Sequence, residues 1–207
     1  VDYPVRSASD WSKIGVIGLD HPVFREQLEA IGLVGKGLAG TVPYMATIFS
    51  PVAIASRLVS TDEELTRQLR EHSDAVQPAL EAITETFVAF AEAAMERGAD
   101  GIFFATTGYA TTDMMTAQEY RRLVRPWDLA FLNAIPEGVL HMLHVCRNKN
   151  LLAEVADYPV NAFNWDATGD GNLNLAQGSD LLGDRTVVGG VPHEAGMPDG
   201  EPGEIAT

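Results

Sequence analysis

Basic residues are scarce: 14 lysines and arginines stand against 29 aspartates and glutamates, a formal net charge of −15. Nucleic-acid grooves and contacts to anionic membranes rest on clustered Lys and Arg, so this balance argues against both and leaves small molecules, metals or other proteins as partners. Cysteine is nearly absent, Cys146 being the only one, and one thiol cannot make an internal disulfide. There is no charged segment leading into an apolar one of the signal-peptide kind, and no apolar run of membrane-spanning length. A reducing cytoplasm is the expected compartment. The chain opens on Val1 and not on methionine, so the native N-terminus is expected to lie upstream or to have been removed. What remains is ordinary globular material, 46% hydrophobic and 21% charged over 207 residues, enough to bury a sizeable core.

The pattern along the chain alternates strand and helix. An irregular lead-in with a helical turn near Asp10 and Trp11 gives way to a helix capped at Asp20, with Phe24, Leu28 and Ile31 at helical spacing and Gly32 and Gly35 as its stop. Ser50-Pro51 reads as N-cap and first helical residue, and Ser60 and Thr61 with Glu63 and Glu64 as overlapping capping boxes that open a long helical region kinked at Pro78. From Val76 through Leu80, Ile83, Phe87 and Phe90 to Ala94 runs one apolar stripe, stopped by Gly98. Thr116 with Glu119 is a further capping box, and Arg121, Arg122 and Arg125 read as a solvated helix face. One more helix is expected near 150–156, a short segment around 175–182 follows a glycine- and asparagine-rich link, and a further helix begins at Pro202-Gly203-Glu204-Ile205.

Five short apolar strands are predicted at about 41–49, 101–105, 138–146, 160–166 and 186–191, separated by helical stretches, the pattern of parallel βαβ units. A doubly wound sheet and a (β/α)8 TIM barrel both fit. Two observations favour the barrel: no glycine-rich phosphate fingerprint follows any strand, and polar residues recur just after strand ends, where barrel active sites form. A complete barrel needs eight strands and about 250 residues, so five strands suggest an incomplete one, a single domain over residues 1–207.

The stretch Val139 to Cys146 holds most of the chemistry. As a strand it alternates faces, so Met142, His144 and Cys146 point one way and His141, Leu143 and Val145 the other. An imidazole and a thiol on one face are either a buried thiol beside a hydrogen-bonded core histidine or two ligands of a zinc ion. Other candidates follow the strands. Asp166 caps a turn or orients His144; Tyr109, with Thr106 and Thr107, lines a pocket or belongs to an ordinary turn. Asn164 and His193 lie at strand ends on the same presumed face, and Arg147 is the arginine at its mouth.

Gly98-Ala99-Asp100-Gly101-Ile102, Met115-Thr116 with Tyr120 and Pro126, His144-Val145-Cys146, Asn164-Trp165-Asp166 and Gly189-Gly190-Val191-Pro192 together resemble the uroporphyrinogen decarboxylase superfamily. That superfamily of barrels contains the decarboxylases themselves and corrinoid-dependent, zinc-containing methyltransferases. The resemblance runs from about Thr41 to the end and looks like barrel strands three to seven, without the first two and the last. His-x-Cys resembles the methyltransferase branch, which implies that His144 and Cys146 bind zinc, with a later cysteine, beyond Thr207, completing the protein ligands. Arg147 departs from that branch, which usually carries glycine there.

The resemblance therefore implies zinc-dependent methyl transfer from a corrinoid, carried by a partner corrinoid protein, to a small thiol. Asp166 and Tyr109 are then the candidate catalytic residues, and Arg147, Asn164 and His193 the candidate substrate contacts. A decarboxylase acting on a porphyrinogen or related acid is the alternative, although a polycarboxylate wants more basic groups than this chain offers. A non-catalytic barrel fragment or binding protein is the third. An open five-strand piece exposes sheet edges, so the 207 residues are not expected to form a stable monomer alone, and a homo-oligomer is one way to cover those edges.

Overall fold

A computed structural model describes residues 2–106, 108–138 and 140–190. His193 and the helix expected at 202–205 therefore lie outside the described residues. Ahead of the first strand, a 3₁₀ turn over Ala8–Lys13 drives Trp11 into the core, where its indole N–H donates to Gln68 Oε1 at 2.5 Å. Helix α1 spans Pro22–Leu38, capped at His21 and not at Asp20, and it runs through Gly32 and Gly35. Packing explains why those glycines do not stop it. A Cβ on Gly35 would lie 2.7 Å from the Tyr44 hydroxyl, which donates to the Ile31 carbonyl at 3.0 Å, so the glycine admits the phenol to the helix backbone. The helix ends at Ala39, left-handed at φ 48°.

The strands are β1 Met45–Phe49, β2 Gly101–Ala105, β3 Met142–Val145, β4 Ala162–Trp165 and β5 Thr186–Val188. All neighbours pair in parallel, in the order β1-β2-β3-β4-β5. A doubly wound sheet reverses its strand order at a switch point. Here each strand lies beside its predecessor throughout, the singly wound order of a (β/α)8 barrel, of which these strands form an open arc.

Helices cover one face of the arc. There Ile48, Phe104, Leu143 and Phe163 are buried side by side, and Phe104 stacks on Phe131 at 5.2 Å. Helix α2, Pro51–Ala55, starts where Ser50 Oγ accepts from Ala53 N. Thr61 caps α3, Asp62–Glu71, by accepting from Glu64 N at 3.1 Å. The long helical region breaks at His72 (φ −137°, ψ 36°), not at Pro78, which sits in the second turn of α4, Ser73–Glu96. Val76, Leu80, Ile83, Phe90 and Ala94 form the buried stripe of α4, and Gly98 at φ 107° follows its end.

Helix α5, Ala117–Leu123, opens on the expected capping box of Thr116 and Glu119, and α6 is Arg125–Ala134. Arg121 pairs with Glu154 in α7, Leu152–Val155, and Arg125 pairs with Asp157 just beyond it at 2.7 Å. Two of the three arginines expected on a solvated face thus tie α5 and α6 to α7; Arg121 and Arg122 are exposed as expected, and Arg125 is partly buried. Helix α8, Leu175–Leu182, carries a second reciprocal cap, Asn174 with Gln177.

Candidate active site

The site is built at the carboxyl ends of β3 and β4, on the face away from the helices. Register places His144 beside Asn164 and Val145 beside Trp165. Alternation along β3 buries Leu143 and Val145 and leaves Met142 and His144 half-buried on the opposite face, as the sequence pattern requires. His141, on the helix side, is buried; its Nδ1 accepts from Ile102 N at 3.2 Å and its Nε2 lies 3.0 Å from the Pro136 carbonyl. That histidine is structural.

A network centred on Asn164 orients His144. The Asn164 Nδ2 donates to the Val188 carbonyl at 2.8 Å, which fixes the orientation of the amide, and its Oδ1 then lies 2.5 Å from His144 Nδ1. An amide oxygen only accepts. His144 Nδ1 must therefore carry the proton, and Nε2 keeps the lone pair that a metal or an acid would use. Phe103 stacks on the imidazole with ring centroids 5.3 Å apart, fixing its plane, and the His144 carbonyl accepts from Thr106 N and Oγ1 at 3.1 and 3.2 Å.

Three loops close around this strand end. Thr111 and Asn150 form an antiparallel bridge, and Thr111 Oγ1 donates to the Asn148 carbonyl at 2.8 Å. Asn172 joins the other two loops: its Nδ2 donates to the Arg147 and Asp166 carbonyls at 3.0 and 2.8 Å, and its Oδ1 accepts from Asn150 N at 2.8 Å. Nothing in the sequence distinguishes Asn172 from other asparagines of a glycine-rich link, since its role depends on loops 22 residues apart. Between the loops lies a cleft of about 750 Å³, whose lining includes His144, Cys146, Arg147, Asn164, Asp166 and Asp62.

Five of the sequence candidates thus share one cleft, and Tyr109 does not join them. Its side chain is buried and its hydroxyl donates to Asp62 Oδ1 at 3.1 Å; burial, and then the Asp62 charge, push the phenol far above its ordinary range. The aromatic ring supports the loop from behind and has no proton to offer near neutral pH. Asp166 Oδ1 accepts from Thr168 N and Oγ1 at 3.0 and 2.7 Å, a turn cap, while the partner of the imidazole is the Asn164 amide. Arg147 adopts φ 76°, the left-handed conformation that suits the glycine expected at that position.

A lone pair on His144 and the Cys146 thiol suit a soft divalent metal such as zinc, as two of its ligands. Among the described residues no group of three or more His, Cys, Asp or Glu side chains completes such a site. No helix among them is long and apolar enough to cross a membrane.

The family model described as uroporphyrinogen decarboxylase matches residues 1–205, including the first forty residues that carry none of the motifs noted above. The methylcobamide:CoM methyltransferase MtaA of Methanosarcina barkeri is 29% identical over 167 residues, 79% of this chain and 47% of that protein. MtbA of Methanosarcina mazei, also a methylcobamide:CoM methyltransferase, is 23% identical over 99% of this chain and 59% of its own length. A solved methyltransferase structure from Methanosarcina mazei superposes with a TM-score of 0.76 at 25% identity, covering 92% of this chain and 55% of that one. The chain thus spans about half the length of the curated relatives it matches.

Proposed function

The chain belongs to the uroporphyrinogen decarboxylase family, and from that premise we propose that it carries the zinc-binding edge of an enzyme that moves a methyl group from a corrinoid to a thiol. The 207 residues are then one domain, corresponding to barrel strands three to seven. The observation that carries the reading is the His144–Asn164 contact: it fixes the tautomer that leaves Nε2 basic, on the cleft that Cys146 also lines. His144 and Cys146 would hold the zinc, which as a Lewis acid keeps an acceptor sulfur as thiolate at neutral pH.

The net exchange forms one sulfur–carbon bond, breaks one cobalt–carbon bond and releases the thiol proton. It requires no general acid from the chain, in keeping with a site whose tyrosine is buried behind the loop and whose Asp166 is engaged as a turn cap. The names of the relatives support methyl transfer from a methylcobamide. Porphyrinogen decarboxylation finds less support: Asp62, Glu63, Asp113 and Asp166 line the cleft against one arginine, and each buried carboxylate of such a substrate needs a cationic partner.

Metal analysis of the freshly purified intact protein tests the reading. About one zinc per chain is expected, with affinity reduced at least ~10-fold in Cys146→Ser and His144→Ala. Absence of zinc from the wild-type protein, or unchanged binding in both variants, refutes it.

A further inference from the structure

We infer that the trough between α4 and α6, on the outside of the arc, is the docking site for a basic amphipathic helix of a partner protein. Its middle is apolar and one bank is acidic. Val88 and Ala89 of α4 with Trp127, Ala130 and Ala134 of α6 line a space of about 470 Å³, and Glu81, Glu85 and Glu92 of α4 complete the bank. Both helices turn other residues to the core, Leu80, Ile83 and Phe90 from α4 and Phe131 and Leu132 from α6, so the trough belongs to their outward side. It stands apart from the cleft, which lies on the other face of the sheet.

Charge decides what fits there. Helix α4 carries Asp74, Glu81, Glu85, Glu92 and Glu96 and no Lys or Arg. Glu81 and Glu85 are exposed and one turn apart, a like-charge pair that opposes the helix. Elsewhere the chain pairs such acids: Glu64 and Glu71 with Arg67, Glu119 with Arg70 and Glu154 with Arg121. Glu81 receives only the Gln77 amide at 3.1 Å, and neither it nor Glu85 or Glu92 has an ion-pair partner among the described residues. Arg125, the one base of α6, is turned to Asp157. A helix with an apolar stripe and Lys or Arg on its flank satisfies both features of the trough. A two-fold copy of this chain would set acid against acid, and an anionic bilayer is repelled for the same reason. The form of the occupant follows from the lining. Every lining residue lies in a helix, so strand addition to a sheet edge is not open to a partner here. The acidic bank runs about 16 Å along α4, roughly three turns, and the small alanines let the ridge of a third helix enter the groove between two. Trp127 is the half-buried aromatic that anchors such a contact, whereas Trp11 and Trp165 are buried.

The test titrates the intact protein with a blocked peptide of about 16 residues, long enough for the trough, with leucines at helical spacing and lysines flanking them. A version with glutamate for lysine and a scrambled version serve as controls. Binding is read by calorimetry and by acrylamide quenching of Trp127, taken as the difference between wild type and Trp127→Phe. The lysine peptide is expected to bind at least about 10-fold tighter than either control and to shield Trp127. The exposed-face variant Glu81→Gln/Glu85→Gln/Glu92→Gln should weaken it about 10-fold, as should Ala130→Arg, which fills the trough with a cation. Glu26→Gln/Glu29→Gln/Asp180→Asn, the same change of charge at exposed acids elsewhere, should change it less than about 2-fold. No binding, equal binding of the lysine and glutamate peptides, or equal losses in the two triple variants overturns the inference. So does a Trp127 already shielded in the peptide-free protein, which means that its own chain fills the trough, or a fall in sedimenting mass on Ala130→Arg, which means that a second copy does.

Discussion

Asp128 sits on α6 with its side chain wholly buried. Its Oδ2 accepts from the Tyr120 and Tyr158 hydroxyls at 2.7 and 2.9 Å, and its buried Oδ1 has no partner among the described residues. Burial dominates over the phenol donors and the Arg125 charge and pushes the carboxyl up to about 7. The same aspartate in the unfolded chain titrates near ~3.9. Because the folded value is the higher one, the native state keeps a proton between about pH 4 and 7 that the unfolded chain has already released. Its contribution is complete below about pH 4, declines across that window and is constant above about pH 7. About three pH units at ~1.36 kcal/mol each give a loss of about 4 kcal/mol. Glu64, Glu119 and Asp157 are lowered chiefly by Arg67, Arg70 and Arg125 and act in the opposite sense, but their window lies below about pH 4.5. Urea denaturation of the intact protein and of Asp128→Asn, followed by tryptophan fluorescence from pH 5 to 8.5, isolates the effect. The amide carries a roughly pH-independent penalty for its new N–H, so the slope of the difference is what counts. Relative to wild type, the variant should gain most of those ~4 kcal/mol with rising pH. Parallel profiles, or a variant that loses ground as pH rises, would refute the reasoning.

The Asn164 network makes a second prediction: Asn164→Ala removes the acceptor that selects the Nδ1–H tautomer of His144 and should weaken zinc binding ~10- to 100-fold in chelator competition. Asn164→Asp, which keeps an oxygen there, should restore most of it, and equal affinity in all three proteins would exclude an orienting role. At the other end of the sheet, a Cβ on Gly101 would lie 1.9 Å from the Leu140 carbonyl oxygen, a backbone atom that cannot rotate away. Gly101→Ala is therefore expected to cost about 3 kcal/mol or more in denaturant unfolding, and a wild-type midpoint would show that the approach of these segments tolerates a methyl group.

What could be read from sequence was local. Gly101–Ala105 has the expected bounds, and the Thr116–Glu119 box forms because every atom it uses lies within four residues. The predicted strand at 138–146 shortens to Met142–Val145 and that at 41–49 to Met45–Phe49, since apolar composition continues where pairing stops. Glycine was the weaker guide. Gly98 ends α4 because its φ is positive, but Gly32 and Gly35 lie within α1, and the same letter serves conformation in one place and close approach in the other.

That His144 and Cys146 lie together on one cleft was also legible, although Cys146 stands just past the end of β3 and not within the strand. What was not legible is which side chain orients the imidazole. The sequence offered Asp166 as a carboxylate partner for His144, two residues from an asparagine of the same strand, and the choice between them is set by register alone. Parallel pairing aligns His144 with Asn164 and carries Asp166 past the end of β4, where the first amide and hydroxyl it meets are those of Thr168. A shift of two residues would keep every side chain on its face and bring Asp166 to the imidazole, converting a neutral amide partner into a charged one that makes the histidine a stronger base. The chemistry open to this site is therefore decided by the pairing of β3 with β4, an interaction between residues 20 apart in the chain.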